Sequence, residues 1–447
     1  MTASPDPLNL LDDLVKRARV AGADAADAVL VLGTSISHAQ RLGRTEKLER
    51  AEGHDIGLRV LVGRRQAVVS SSDLGRAALD ALVERGVAMA RIVPEDPFCG
   101  LADPDAIARE WPDVDSVDPT EPAAETLIDW AKRAEDAARG VSGVTNSEGA
   151  EASWSRRRMA LVASNGFAGE NQGSGWSVAV SVLAGEGTAM ERDDDFSAAV
   201  YASDLRSPEE VGRSAGERAV RRLKPRKAET TRAAVVFDPR VASGLLGHFA
   251  NAINGVSIAR GTSFLKDRMG EPVFGPAVSV IDDPLRRRGL RSRPFDGEGI
   301  AASRRALVEG GVLRSWVLDL RTARQLNLAT TGHGARGTGG PPAPSTSNLY
   351  VEAGTDTPAA LMKRAGRGLY VTDLMGFGVS MVTGDYSRGA AGFWFEDGVL
   401  GAPVSEVTIA ANLKDMFRTL VPANDLEFRY GTNAPTVLVP EMTIAGR

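Results

Sequence analysis

Phe237-Asp-Pro-Arg-Val-Ala-Ser-Gly-Leu-Leu-Gly-His-Phe-Ala-Asn-Ala-Ile-Asn254, running into Gly261-Thr-Ser-Phe264, decides how the second half of the chain is read. The apolar run Ala233-Ala-Val-Val-Phe237 before it has strand character. Asp238-Pro239 then supplies a cap and a first-turn proline, so a strand leads into a helix. Val241, Leu245, His248 and Ala252 recur along that helix at helical spacing, which makes His248 a packed or partner-contacting histidine.

Beyond this helix, from Val278 onward, the chain reads as short strands punctuated by glycine. Ala306–Leu318 is a hairpin turning at Gly310-Gly311, Leu361–Gly366 a short helix, and Leu369–Thr372 a return to the sheet. Gly332–Pro344 is so rich in glycine and proline that it reads as a mobile or ligand-facing loop.

Upstream, Leu8–Ala21 has the spacing of an amphipathic helix stopped by Gly22. Asp27–Gly33 is a short apolar strand, and Gly57–Gly63 with Gln66–Ser70 form a hairpin. Helical periodicity returns over Asp73–Ile92 and Ala123–Arg139. Ser153–Ser164 and Gly175–Gly185 alternate as strands, with Asn165-Gly166 as a turn former. Pro208 and two acids open a helix over Ser207–Arg222, and the polar, basic stretch Lys224–Arg232 marks the domain boundary.

A chain of 447 residues exceeds one ordinary core, so two domains are expected, 1–225 and 226–447. The fold class is α+β: an N-terminal domain of sheet and helices, then a mostly antiparallel, β-rich and barrel-like C-terminal domain. A net charge of −5 gives no footprint for a phosphate backbone, which disfavours direct nucleic-acid binding. Arg156–Arg158 and Arg286–Arg288 read as solvated faces. One cysteine, Cys99, cannot form an internal disulfide and sits in a proline-flanked loop as an ordinary thiol. Residues 1–10 lack the pattern of a signal peptide, and no apolar run approaches the roughly 20 residues of a spanning helix. A cytoplasmic protein without membrane contact is expected.

Phe295-Asp-Gly-Glu-Gly299, Thr331-Gly-His333, Leu374–Ser380, Thr383–Trp394, Pro403–Ala410, Asn412–Met416 and the closing Val439–Gly446 resemble, in order, the pattern of the TldD/PmbA family. The first half agrees more loosely, through Gly57-Leu-Arg-Val60 and the loop from Asp96 to Leu101. The resemblance implies that the Phe237–Asn254 helix corresponds to the one carrying a His-Glu-x-x-x-His zinc motif in TldD-type metallopeptidases. With Gly261-Thr262-Ser263 as register, that motif falls on Leu246, Gly247 and Asn251, none of which binds zinc or acts as a base. The family's third ligand, a cysteine, has no counterpart in Ala423–Pro435. A catalytic zinc needs about three protein ligands and an open position.

The chain therefore is similar to the TldE/PmbA branch, which the resemblance makes the non-catalytic partner of TldD in a peptidase acting on small or unfolded peptides. Microcin maturation and removal of antitoxin-like proteins are the implied roles. The implied partners are a TldD-type subunit, which carries the zinc, and peptide substrates. No cofactor is expected in this chain, and a homodimer is the form open to it without the partner. Two rival readings are a self-sufficient metallopeptidase and a DNA-gyrase modulator. His248, His333, Asp385, Ser387 and Arg388 are the candidates for cleft or partner contacts, the last three in a tight glycine-flanked turn. No Gly-x-Ser-x-Gly elbow, Walker loop or dinucleotide fingerprint occurs.

Overall fold

The computed structural model describes residues 6–446, so residues 1–5 of the N-terminal expectation lie outside the described residues. After helix α1 (Pro7–Val20), three strands follow, β1 (Ala25–Arg41), β2 (Arg44–Val62) and β3 (Arg65–Ser71), then α2 (Arg76–Ile92) and α3 (Ala124–Arg139). β4 (Val144–Ala163), β5 (Ala168–Ala184) and β6 (Glu191–Ala199) complete an antiparallel sheet of order β3-β2-β1-β4-β5-β6, and α4 (Pro208–Arg221) closes this half. Ser207 caps α4 in a capping box with Glu210, its hydroxyl accepting from the Glu210 N–H.

The helices cover one face of the sheet. α1 and α2 pack on Ala26, Ala28 and Leu30 of β1, and α3 and α4 on Ile36, Trp154 and Trp176. The opposite face, through Val29, Leu161 and Phe167, packs on Phe295 and Leu320 of the second half. With both faces covered, Ala26–Leu30 is buried without interruption, which is why the segment reads as an apolar run. The β1–β2 turn, Leu42-Gly43, takes φ of +51° and +74°, a mirror-type hairpin that a leucine does not announce in sequence.

β7 (Thr231–Phe237) leads into α5 (Pro239–Ala252), shorter than the Asn254 end suggested, and a one-turn helix α6 (Gly255–Ala259) follows. β8 (Val280–Asp282), β9 (Arg305–Glu309) and β10 (Val312–Leu313) meander, with Gly310-Gly311 at φ of +55° and +79° as the expected hairpin turn. Next come α7 (Leu320–Gln325), a two-residue pair β11 (Gly334–Ala335) and β12 (Ala343–Pro344), β13 (Leu349–Val351) and α8 (Pro358–Ala365). The last stretch is β14 (Arg367–Val379), β15 (Asp385–Glu396), β16 (Val399–Asn412), α9 (Leu413–Thr419), β17 (Val421–Pro422), β18 (Thr432–Asn433) and β19 (Val437–Ala445).

β16-β15-β14-β7-β19 pair in sequence, and β19 returns to β16 through Thr408–Ala445, Ile409–Ile444 and Ala410–Thr443, which closes a barrel. Only β14–β7 is parallel among these pairs. The apolar side of α5, Leu245, Leu246 and Phe249, shares one core with Val235, Leu369, Ile409 and Ile444 of the barrel. The expected α+β architecture with a strand-rich second half is what the structure contains.

Gly332–Pro344, expected as a mobile or ligand-facing loop, is a strap pinned across the first sheet. Arg336 reaches Asp27, Thr338 bonds Asp55, and a Cβ on Gly57 would collide with the Thr338 backbone. Side-chain anchoring supplies the order that glycine and proline content could not. The arginine runs are likewise less free than expected: Arg158 pairs with Glu170 at 2.7 Å, Arg288 with Asp115 at 2.8 Å, and Arg286 stacks on Phe428.

Candidate functional site

α5 presents two unlike faces. Asp238 accepts from the Arg240 N–H at 2.9 Å and Pro239 fills the first turn, so the helix begins where the sequence placed it. Ala242, Leu245, Leu246, Phe249 and Ala252 are buried, while Gly244 and Asn251 are exposed and Gly247 and His248 half-buried. The candidate zinc positions therefore diverge: Leu246 is 3% exposed in the core and Asn251 faces out. Zinc does not fit here. The segment that would bring a third ligand is also committed elsewhere, since Asp425 accepts from the N–H and hydroxyl of Thr436, and the Asn433 oxygen accepts from the N–H groups of Arg429 and Tyr430. No group of three or more His, Cys, Asp or Glu among the described residues is placed to hold a metal ion.

His248 lies at the edge of the buried stripe, its ring edge-on to Tyr386 with centroids 6.0 Å apart. Burial lowers its pKa, and the Arg388 guanidinium lowers it further, so the imidazole is neutral near pH 7. Burial pushes the Tyr386 phenol up to about 12, and its hydroxyl has no hydrogen-bond partner among the described residues. Arg388 donates from Nε to the Met375 carbonyl at 3.1 Å.

Asp385, Ser387 and Arg388 are not in a turn, as expected from their glycine neighbours, but on β15. Strand alternation sets Tyr386 and Arg388 toward α5 and turns Asp385 and Ser387 to the other side. There Asp385 accepts from the Thr383 hydroxyl at 2.6 Å and from Asn412 at 3.1 Å, and the Thr383 bond leads in holding its carboxyl below the usual range. A shallow hollow of about 680 Å³ opens beside them, lined by Phe377, Ser380 and Ala411 among others. Phe377, on a bulge between Met375 and Gly378, is 98% exposed. His333 belongs to neither side. It is 2% exposed, with Nδ1 at 2.8 Å from the Thr331 hydroxyl and Nε2 at 3.2 Å from Asp282, so it fastens loops and does not face a cleft.

A second polar centre, which the sequence quoted only as Phe295–Gly299, lies where the two halves meet. Asp296 accepts from the N–H groups of Glu298, Ile300 and Gly334, and Glu298 accepts from the Leu320 N–H at 2.8 Å. Burial, then the neighbouring Asp296, raises the Glu298 pKa to about 8. The proton is thus held more tightly folded than unfolded. Its contribution to stability is complete below the unfolded value of 4.5 and is lost as pH rises through about 8. Urea unfolding followed across that window is expected to show falling stability, and Glu298→Gln to flatten the decline.

Three family models cover this architecture: PmbA/TldA metallopeptidase domain 1 at residues 26–90, the central domain at 117–223 and the C-terminal domain at 230–446. The chain belongs to the PmbA/TldD metallopeptidase family. The metalloprotease PmbA of Escherichia coli O157:H7 is 38% identical over 95% of this chain and 93% of its own length. The PmbA homolog of Haemophilus influenzae is 35% identical over 97% and 94%. Among solved structures, a protein of Bacteroides thetaiotaomicron described as a DNA gyrase modulator superposes with a TM-score of 0.91 at 26% identity, covering 99% of this chain and all of that one. TldE from Thermococcus kodakarensis shares the fold, with a TM-score of 0.86 at 18% identity over 98% and 100% of the two chains. In this PmbA/TldD member the three candidate positions on α5 are Leu246, Gly247 and Asn251.

Proposed function

We propose that this chain is the non-catalytic, TldE-like subunit of a cytoplasmic zinc peptidase complex, in which a TldD-type partner holds the metal and small or unfolded peptides are cleaved. The observation that carries this reading is the burial of Leu246 in the core and the absence of ligating side chains at Gly247 and Asn251. What this chain contributes is shape. On α5, a Cβ at Gly244 or Gly247 would meet nothing within 4 Å, so packing inside the chain does not require either glycine. Each costs the helix roughly 0.5–1 kcal/mol relative to alanine. A bare helix face suits the close approach of a partner or a peptide backbone, and exposed Phe377, beside Asp385 and Ser387 on the other side of β15, offers a separate apolar contact. His248 and Arg388 form the polar edge of that surface, over the buried Tyr386 ring.

The metalloprotease names of the relatives favour a self-sufficient peptidase, but that reading needs zinc ligands where this chain has none. Gyrase modulation, suggested by the description of the Bacteroides protein, would act through a protein contact, since the net charge of −5 does not attract DNA. The test is elemental analysis of the purified chain. Zinc well below one per chain is expected, and one tightly held zinc per chain would overturn the subunit reading.

A further inference from the structure

The cleft between the first sheet and the loops of the second half encloses a cavity of about 610 Å³. Arg157 on β4, Arg291 and Arg293 line its wall against one carboxylate, Asp296, and the strap residue Arg336 borders it with its side chain fully buried behind the wall. That carboxylate is already occupied by three backbone N–H groups. Among the described residues, Arg157, Arg291 and Arg293 form no ion pair within 4.0 Å. Arg336 pairs with Asp27 through Nη2 and donates from Nη1 to the Gly340 carbonyl, and its buried side chain, 0% exposed, leaves only Nε without an acceptor. The Arg293 Nε is likewise buried and unpartnered, while its Nη2 donates to the Ser345 carbonyl at 2.8 Å. Buried N–H donors without acceptors carry their full desolvation cost, and two of them sit behind the wall of the same cavity, adding to its excess of positive charge.

We propose that this cavity binds the oxyanion of a small ligand, a carboxylate or a phosphate, held by Arg157, Arg291 and Arg293. Guanidinium forks match both oxyanions in geometry and charge, and clefts between domains are where such ligands are commonly enclosed. Asn171, Gln172 and Thr346 line the same space and offer neutral hydrogen bonds to the rest of the ligand. The two sources of this chemistry are free phosphate and the terminal carboxylate of a peptide. The site binds its anion whether or not the chain pairs with a zinc-bearing partner.

Calorimetric titration of the full chain with inorganic phosphate, with a short peptide bearing a free C-terminal carboxylate, and with its C-terminal amide tests this. Saturable one-to-one binding of phosphate or of the acid peptide is expected, with the amide silent. Arg157→Gln and Arg293→Gln should each weaken it by about tenfold, the loss of one charge-assisted contact. Arg157 is the cleaner variant, because its only side-chain bond is a weak one to the Met159 sulfur, so its melting temperature should match that of the unaltered chain. No saturable binding of either oxyanion, saturable binding of the amide peptide, or undiminished affinity in a folded Arg157→Gln would overturn the proposal.

Discussion

Replacing Asp27 with alanine is expected to destabilise the protein by about 3–5 kcal/mol, the range for removing one partner of a buried ion pair. Asp27 lies on β1 and is 3% exposed. Its Oδ2 accepts from Arg59 Nε at 2.7 Å and its Oδ1 from Arg336 Nη2 at 2.8 Å. Burial alone would raise its pKa, but the two guanidiniums outweigh burial and hold the carboxyl below its ordinary range. Removal leaves two buried cations facing each other without a counter-charge. It also cuts the strap from the first sheet, so the midpoint in urea should drop sharply, whereas Lys47→Ala, which breaks an exposed pair with Glu49, should leave the midpoint unchanged. An Asp27→Ala protein as stable as the unaltered chain would mean that the strap is not held as described.

Installing the missing motif, Leu246→His with Gly247→Glu and Asn251→His, is expected to give no stoichiometric zinc and to cost about 2–5 kcal/mol. Leu246 is packed against Phe249 and the barrel in one core, so a histidine there removes a buried aliphatic side chain and adds polar atoms with no partner. The new groups would also point apart, one into the core and one to solvent. Chemical denaturation and metal analysis of the triple variant check both parts. A stable variant holding one zinc per chain would show that α5 can turn this face outward.

How much of this was legible in the sequence depended on whether the signal was local. α5 and its cap, the Pro208 start of α4 and the Gly310-Gly311 turn all follow from neighbouring residues, and each stands where those residues put it. β2 does not, because Arg44–His54 is exposed on both faces and carries no alternation. Barrel closure rests on Thr408–Ala410 meeting Thr443–Ala445, residues far apart in sequence with no local mark. At the site, His248 could be read as a packed side chain from its helical spacing. The glycines beside Asp385, Ser387 and Arg388 suggest a turn, but Tyr386, Arg388 and Ala390 alternate as a strand, and that alternation separates the three. Arg336 went unread because the glycines around it dominated the segment.

Peptide cleavage by this chain alone, by a TldD-type subunit alone, and by the two mixed tests the central claim most directly. Turnover is expected only, or at least several-fold faster, in the mixture, with this chain alone inactive. Cleavage by this chain alone, or a TldD-type subunit whose rate is unchanged when this chain is added, would contradict the account.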